Sequence, residues 1–362
     1  GCSDAFPPKC KAAYVLSNVA EVVERILTFV PTKSLFQIAS VCRLWRNCAR
    51  RVLRTQQQLA WVSVCGPSTT EAHSLCSSLS EEVEVNQIAH RMAKRSRQSP
   101  DTVHELNLLF PKGCDVLGIT TPGIVLTPTG SCSGSPQEYQ DGEAGFAVMF
   151  PSTEGVNIKP FHFCKKTISP TALKDAGLVD NSELRVVLIF FYEVYKTGGA
   201  RFLNQVLEPL AKTKALIAGG IVEGVFSPPR HCCSDGAYGA VGLALSGPKV
   251  QGASVLLDQD VSCPKTAEAT IRRLSAAKMP EKNTLGLMFA CVGRGQNYYK
   301  NQPNVEADAF RKVFPKTPLF GLFGNGEIGC DRIIKDDYTL CDTDMDTLQH
   351  EYTTVMTLVH LG

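Results

Sequence analysis

The apolar residues between positions 17 and 30 follow the spacing of one helical face. They recur at i, i+3, i+4 and i+7, which is the pattern of an amphipathic helix. The stripe consists of Val19, Val22, Val23, Ile26, Leu27 and Val30. Ser17 or Asn18 can cap this helix, with Glu21 in its first turn. We expect it to stop at Pro31, because the residue before a proline is pushed out of the α region.

Two shorter amphipathic stretches follow this helix. They predict a second helix over residues 34–40 and a third over residues 43–54, with Trp45 among the buried positions of the third. A module of about 40 residues is near the lower limit for an independent core. Many apolar residues on such short helices leave part of their surface uncovered. We therefore expect this module to complete its surface with a partner.

Beyond residue 104 the pattern changes to short apolar runs that end in glycine-rich turns, as strands do. Strands are predicted over residues 116–125, 146–150, 156–163, 184–191, 215–218, 240–245, 250–257, 285–291, 319–323 and 352–359. Helices are predicted over residues 200–212 and 267–278. A short strand, a loop and a strand pair occur in this order twice, from residues 115 and 215. The pattern indicates an α+β domain of two related halves, in which mainly antiparallel sheets pack against helices.

The segment between the helices and this domain is mostly polar. Residues 59–65 predict a strand, and residues 81–92 predict a helix. The basic run from Arg91 to Arg97 is either a nuclear-localisation or phosphate-binding patch or a solvated loop, and the loop is favoured because short basic motifs are weak signals. The domains expected are a flexible tail (1–12), the three-helix module (13–58), a strand plus linker (59–103), and the two halves of the α+β domain (104–212 and 213–362).

Composition narrows the function classes. The 362 residues carry a formal net charge of +2, and 44% of them are hydrophobic. A nearly neutral, globular composition argues against a broad nucleic-acid or membrane surface, and the chain has no eighteen-residue apolar run. The fifteen cysteines form no Cys-x-x-Cys pair. We therefore expect reduced thiols, no metal and no cofactor, in a cytoplasmic and nuclear protein.

The helical module carries a recognisable order of residues. Leu16 begins it, Pro31 interrupts it, and the sequence Val-Cys-Arg-Leu-Trp-Arg over residues 41–46 closes it. This order resembles the F-box, although Ser17 stands where the family usually has proline. The resemblance implies docking on the Skp adaptor and, through it, assembly with cullin and RING subunits. The adaptor-binding residues that it implies are Leu16, Val22, Ile26, Leu27, Val30, Pro31, Leu35, Val41 and Trp45.

One glycine-rich segment invites a nucleotide-binding interpretation. Residues 324–329 match Gly-x-Gly-x-x-Gly and follow a predicted strand. A dinucleotide site would also need an amphipathic helix directly after this motif and an acidic residue about twenty positions on. The following residues, 330–337, make no helix of useful length. We therefore reject a nucleotide site.

The segments 291–294 and 321–329 together resemble the C-terminal half of the FIST domain, a domain found in F-box and signal-transduction proteins. The resemblance spans almost the whole chain and is weakest between residues 66 and 103. It implies a non-catalytic substrate receptor of a Skp–cullin–F-box ubiquitin ligase. The expected targets are proteins destined for proteasomal degradation, chromatin or transcription regulators among them, with no direct nucleic-acid or membrane partner.

The alternative function is a FIST domain that senses a small ligand or an electrophile. The candidate residues are Cys291, Gly293, Arg294, Gly295, Gly326 and Glu327. Arg294 offers a planar fork for a carboxylate, and glycines allow a ligand to approach the backbone. Glu327 can receive an amine or pair with Arg294. The charge of Arg294 would favour the Cys291 thiolate, and a packed, inert strand cysteine is the other interpretation.

Overall fold

The computed structural model describes residues 11–30, 34–35, 38–55, 59–66, 88–94, 116–128, 134–140, 143–150, 152–226, 237–335, 338–341 and 347–362. Several predictions from the sequence lie outside the described residues. They concern most of the tail (residues 1–10), Pro31, the first part of the helix predicted over 81–92, and the end of the basic run at residues 95–97.

Among the described residues of the N-terminal helical module, three helices have both ends defined. They are α1 (Lys11–Asn18), α2 (Ala20–Leu27) and α3 (Arg43–Thr55). The predicted first and third helices correspond to α2 and α3, and Ser34, Leu35 and Ile38 are helical where the second was predicted. Helix α1 begins at Lys11, inside the predicted tail. The predicted cap is wrong, because Asn18 ends α1 with its side-chain amide donating to the Tyr14 oxygen at 2.9 Å, and Val19 precedes α2 without a side-chain cap.

The helical module has its own small core. The buried residues of this core are Val23, Leu27, Leu35, Cys48, Ala49 and Val52. Two polar contacts hold the helices around it. The Trp45 indole donates to the Leu16 oxygen at 2.8 Å, which fixes α1 against α3, and Arg51 pairs with Glu24 at 2.7 Å across α3 and α2. Trp45 therefore stabilises the module from within.

The sheet body, residues 59–362, consists of short strands and four helices among the described residues. The strands are β1 (Ala60–Gly66), β2 (Ile88–Lys94), β3 (Val116–Thr121), β4 (Gly123–Leu126), β5 (Gln137–Tyr139), β6 (Glu143–Phe150), β7 (Asn157–Cys164), β8 (Leu184–Tyr192), β9 (Leu216–Val222), β10 (Gly224–Phe226), β11 (Gly239–Ser246), β12 (Val250–Leu257), β13 (Thr284–Cys291), β14 (Leu319–Gly324), β15 (Glu327–Ile328), β16 (Arg332–Lys335), β17 (Tyr338–Cys341), β18 (Gln349–His350) and β19 (Thr354–Leu361). The helices are α4 (Pro170–Asp175), α5 (Gly199–Ala211), α6 (Pro264–Arg272) and α7 (Val305–Val313), with a 3₁₀ turn at Arg273–Ala277.

The strands form three sheets. The first sheet has the order β1-β6-β2-β3-β10, the second β18-β15-β9-β8-β11-β7, and the third β17-β16-β12-β19-β13-β14-β4-β5. Most neighbouring strands are antiparallel, and the parallel pairs are β2 with β3, β8 with β9, and β13 with β14. The predicted α+β class with mainly antiparallel sheets is confirmed.

One connectivity occurs in all three sheets. The four-strand units are β1-β2-β3-β6, β7-β8-β9-β11 and β12-β13-β14-β19 in chain order. In each unit the second and third strands are parallel, the fourth lies antiparallel beside the second, and the first lies antiparallel beside the fourth. The structure has three such units where the sequence predicts two halves, and the predicted boundary between residues 212 and 213 falls within the second unit.

The three units are joined in a closed ring. After its third strand, each unit sends a short strand to the third strand of another unit: β4 pairs with β14, β10 with β3, and β15 with β9. The crossing turns contain Pro122, Glu223 and Asn325. The amides of Glu223 and Asn325 donate to Thr120 and Ile221 oxygens at 3.0 Å, and Pro122 has no amide hydrogen for the equivalent bond.

The glycine motif at residues 324–329 belongs to one of these crossings. A Cβ on Gly324 would lie 2.5 Å from the Ile221 oxygen, and Gly326 has a φ of +137°. Both positions therefore need glycine so that β14 and β15 can pass close to β9. Strand β15 lies within the motif, and β16 follows it where a dinucleotide site would need a helix.

The inner faces of the three sheets share a central apolar core, and α4 to α7 cover the outer faces of the second and third sheets. Rings from different sheets meet in this core, with Phe146 4.9 Å from Phe320 and Phe190 5.7 Å from Phe289. A cavity of about 30 Å³ lies among apolar side chains of all three sheets in the described part of this core, and it is too small for a sizeable ligand.

The helix predicted over residues 81–92 is wrong where the structure describes it. Residues 88–94 form β2, which has β6 on one side and β3 on the other. Because both edges of β2 are paired, tertiary hydrogen bonding overrides the local helical pattern. Arg91 to Lys94 of the basic run therefore belong to a central strand instead of a solvated loop.

Candidate functional site

Helix α2 has two apolar faces. Val23 and Leu27 point into the core of the helical module and are fully buried. On the other face, Val22 is 38% exposed and Ile26 is 42% exposed, and Phe29, just past the helix, is 84% exposed. The spacing i, i+4, i+7 places these three residues on one side. The module therefore presents an apolar surface that its own core does not use.

More exposed apolar residues belong to the same module. Among the described residues, eight large hydrophobic side chains are exposed, and five of them lie in the helical module. They are Tyr14, Val22, Ile26, Phe29 and Val41. We call these five residues the apolar face. The module has about 45 residues in a chain of 362, so this concentration distinguishes it from the sheet body.

The structure divides the residues that the F-box resemblance assigns to the adaptor. Val22, Ile26 and Val41 are exposed, whereas Leu16, Val30 and Trp45 are partly buried. Leu27 and Leu35 are fully buried in the core of the module, so they hold its shape and have no surface for an adaptor. Sequence reasoning missed Tyr14 and Phe29. Phe29 lies three residues after Ile26, and a search for a second stripe on α2 would have found it.

A second site candidate lies where β13 ends. Arg294 is fully buried and binds the Glu306 carboxylate on α7, with its Nη2 2.9 Å from Oε1. The Tyr299 hydroxyl donates to the same oxygen at 3.0 Å, and Thr354 donates to both oxygens of Glu306. The Tyr298 ring lies 4.2 Å from the guanidinium carbon. Arg294 is therefore committed to a closed internal network.

Arg294 does not make the ion pair with Glu327 that is one of the two alternatives for this acid, because it pairs with Glu306 instead. Glu327 lies on β15, where the amide and the hydroxyl of Thr353 donate to its Oε2 at 3.2 and 2.8 Å. Its other oxygen, Oε1, is buried and accepts no hydrogen bond from the described residues. Burial raises the pKa of Glu327 to about 7, although the bonds from Thr353 act in the opposite direction. The carboxyl group is therefore partly protonated near neutral pH.

Cys291 ends β13 next to Glu327. Its side chain is 7% exposed, and its sulfur accepts a hydrogen bond from the Gly293 amide at 3.4 Å. Burial raises the pKa of the Cys291 thiol, and the nearby Glu327 raises it further. Arg294 does act in the expected direction, because its charge lowers the pKa of Cys291, but desolvation outweighs this effect and the net shift is upward.

The glycines at this site shape the backbone. Gly295 has a φ of +77°, and a Cβ there would lie 2.3 Å from Gln140 Oε1. A Cβ on Gly293 would lie 3.1 Å from the Tyr352 ring. A neighbouring pocket of about 240 Å³ is lined by Pro122, Gly123, Gln140, Val292, Gln296, Asn297 and Phe323. The glycines thus bring loops together and leave room beside Val292.

Glu138 on β5 is a buried acid that sequence reasoning missed. Both its carboxyl oxygens are buried and without a hydrogen-bond partner among the described residues. Burial, with a further contribution from Glu306, raises the pKa of Glu138 to about 8, and the nearby Ala307 amide offsets only part of this shift. No local pattern signals this residue, because its surroundings depend on how β5 packs against α7.

Comparison with known proteins agrees with both parts of the fold. The F-box domain model matches residues 20–57, the FIST N domain model residues 92–262, and the FIST C domain model residues 249–330. Two curated proteins named F-box only protein 22, from Homo sapiens and Pongo abelii, are each 48% identical over 384 residues. The alignments cover 97% of this chain and 95% of each relative.

The chain belongs to the F-box only protein 22 family. A solved structure titled as a cyanuric acid hydrolase from A. caulinodans also matches this chain. It has a TM-score of 0.42 and 11% identity, and the match covers 84% of this chain and 99% of that chain. A similarity at this level supports no conclusion about function.

In the part of the chain that the structure describes, no helix combines the length and apolar character needed to cross a bilayer. Within the same residues, no three or more His, Cys, Asp or Glu side chains form a group that could hold a metal ion.

Removing Arg294 should destabilise the sheet body strongly. We expect Arg294→Met to lower the free energy of unfolding by about 3–5 kcal/mol, because Glu306 is left as a buried, uncompensated charge. Arg294→Met combined with Glu306→Met should recover part of this loss, as coupled neighbours do. Urea denaturation measures the free energy of unfolding of both variants. The control is Lys316→Ala, which breaks the exposed ion pair with Glu281 and should lower the free energy of unfolding by less than about 1 kcal/mol. Additive losses in the double variant would contradict a coupled network.

Glu138 should make stability depend on pH. The folded protein keeps the Glu138 proton up to a pKa of about 8, whereas an unfolded glutamate releases it near 4.5. The folded state therefore binds more protons between these values, and stability falls as pH rises through this window. We expect Glu138→Gln to gain stability over the wild type between pH 5 and pH 8, by a few kcal/mol at most.

Urea midpoints at several pH values measure this difference. Glu183→Gln, which changes an exposed glutamate, is the control and should leave the pH dependence unchanged. A Glu138→Gln profile parallel to that of the wild type would show that Glu138 ionises normally in the folded protein.

Proposed function

We propose that this chain is the substrate-recognition subunit of a Skp–cullin–F-box E3 ubiquitin ligase. The observation that carries the proposal is the second apolar face of α2. Ile26 and Phe29 are exposed although the module has a separate core of its own. Fully burying one such side chain is worth about 1.5–3 kcal/mol, so a partner that covers the face gains substantial affinity. The Skp adaptor is the partner that an F-box domain implies.

The role of the chain in such a complex is positional. The helical module binds the adaptor, and the sheet body holds the target near the ubiquitin-conjugating enzyme. Proximity of this kind raises the effective concentration of the reacting groups without any catalytic group on the receptor. The proposal therefore describes a non-catalytic receptor, with target proteins directed to the proteasome. Chromatin or transcription regulators as targets, and action in the nucleus and cytoplasm, are parts of the proposal that rest on the family resemblance.

The alternative of an electrophile-sensing domain has less support. It needs a reactive thiolate at Cys291, and burial raises the pKa of that thiol. It also needs the charge of Arg294, which Glu306 already neutralises at 2.9 Å. The exposed face of α2, in contrast, has no role in a sensor.

Disrupting the apolar face should remove adaptor binding without unfolding the module. We expect Ile26→Lys with Phe29→Ser to weaken binding to the purified Skp adaptor at least tenfold, because both side chains lose their apolar contact area. Thr28→Lys changes an exposed residue of the same turn and is the matched control. Titration calorimetry gives the affinities, and thermal unfolding verifies that all variants fold.

Two outcomes decide between the proposal and its rejection. Loss of affinity in the double variant with normal binding by Thr28→Lys supports adaptor docking through this face. Wild-type affinity in a folded double variant would reject it.

A further inference from the structure

The exposed apolar side chains of the sheet body lie together. Outside the helical module, the large hydrophobic residues that are exposed in the described part of the chain are Tyr195, Val292 and Tyr352. The Tyr195 hydroxyl donates to the oxygen of Asn325, and the Tyr352 ring lies over Gly293. We call the surface bordered by these five residues the strand-end face.

The topology explains this grouping. The loops after β8, β13 and β14 leave from the carboxyl ends of parallel strands, and β19 begins at the same end because it runs antiparallel to β13. In sheets with parallel strands, ligands usually bind at the carboxyl ends. The strand-end face therefore lies where such a fold presents its adaptable loops.

The backbone of Tyr352 is strained. Its φ is +58°, a left-handed value that is unusual for a bulky aromatic residue. The Gln259 side chain donates to the preceding Glu351 oxygen, and the Cys291 amide donates to the following Thr353 oxygen at 3.0 Å. Strain of this kind persists where surrounding contacts enforce it and is found mainly at functional positions.

The loops at this end carry an excess of acidic residues. The acids are Glu193, Glu223, Asp258, Asp260, Glu327 and Glu351. Three basic residues lie in the same described loops: Lys196 pairs with Glu193 at 3.0 Å, Arg294 pairs with Glu306, and Lys300 is exposed. The whole chain has a net charge of +2, so this acidic end is a local feature.

Two of these carboxyl groups have an oxygen without a partner. Glu223 Oε2 and Glu327 Oε1 are buried and accept no hydrogen bond from the described residues. Glu327 is 1% exposed, and it lies close enough to Tyr195 and Glu351 for their charges to interact. A buried carboxylate oxygen without a donor is costly, and a cation would compensate it.

We propose that the strand-end face is the surface on which target proteins dock, and that it binds a lysine or arginine side chain of the target. The aliphatic stem of that side chain would pack on Tyr195 and Tyr352, whose rings also attract a cation. Its charged head would meet the exposed carboxylate of Glu351, and the buried carboxyl group of Glu327 nearby would add to the attraction. The pocket of about 240 Å³ beside Val292 has room for a neighbouring side chain of the same segment. This inference rests on the proposed function, because it names the chemistry of the target.

Peptide pools test the inference on the full chain in complex with the Skp adaptor. Four pools of immobilised hexapeptides are identical except for a fixed residue, which is lysine, arginine, norleucine or glutamate. Norleucine keeps the aliphatic stem of lysine and removes its charge. We expect the lysine and arginine pools to retain at least five times more of the wild-type protein than the norleucine pool retains.

Variants locate the binding. Glu327→Gln and Tyr195→Ala should each weaken the preference for the basic pools, because one removes a buried charge beside the face and the other removes the aromatic contact. Glu183→Gln removes an exposed acid that precedes β8, at its opposite end, and should keep the preference. Thermal unfolding verifies that each variant is folded.

Equal retention on the lysine and norleucine pools overturns the inference, and so does an unchanged preference in a folded Glu327→Gln variant. Adaptor binding, measured on the same preparations, separates this inference from the proposed function. A chain that binds the adaptor but shows no basic preference rejects the docking surface alone. If the chain does not bind the adaptor, the ligase role is rejected. The uncomplexed full chain is then tested on the pools, and that result alone decides whether the docking surface binds basic residues.

Discussion

Helix α2 has more apolar surface than its own module can bury, and the account of this protein depends on that excess. Val23 and Leu27 fill the small core, while Ile26 and Phe29 remain in solvent. A module of about 45 residues has too little volume to surround a helix on both sides. Phe29 is 84% exposed, and we propose that another polypeptide supplies the missing cover.

The sheet body meets a different constraint. Three units with one connectivity exchange short strands around a ring, and their inner faces share one core. The cavity of about 30 Å³ in the described part of this core is too small for a sizeable ligand. The loops at the carboxyl ends of the parallel strands lie outside this shared core. Those loops bring Tyr195, Tyr352 and Glu327 near one another, although 157 residues separate the first two in the chain.

The fold class and many strands could be predicted because apolar runs such as Val250–Leu257 are continuous and end in turn residues. The third unit could not, because the strands of the first sheet are joined by long polar segments. Strand β2 was predicted as a helix since its pairing with β3 and β6 is invisible in the local pattern. Phe29, in contrast, follows a readable stripe on α2.

The candidate site was only partly predictable for the same reason. The sequence identifies Cys291, Arg294 and Glu327 as neighbours of glycine turns. It does not show which residues they contact in the fold. Arg294 binds Glu306 because α7 packs over the end of β13, and Glu327 is held by Thr353. Burial then sets the pKa of Cys291 and Glu327, and burial depends on the assembled sheets.

Photo-crosslinking from position 29 tests the central claim most directly. With p-benzoylphenylalanine in place of Phe29, irradiation of the full chain with the Skp adaptor should crosslink the two polypeptides. The same residue placed at Tyr195, which is also exposed but lies on the sheet body, should give no adaptor crosslink. Crosslinks from position 29 to the sheet body of the same chain, with none to the adaptor, would contradict the account.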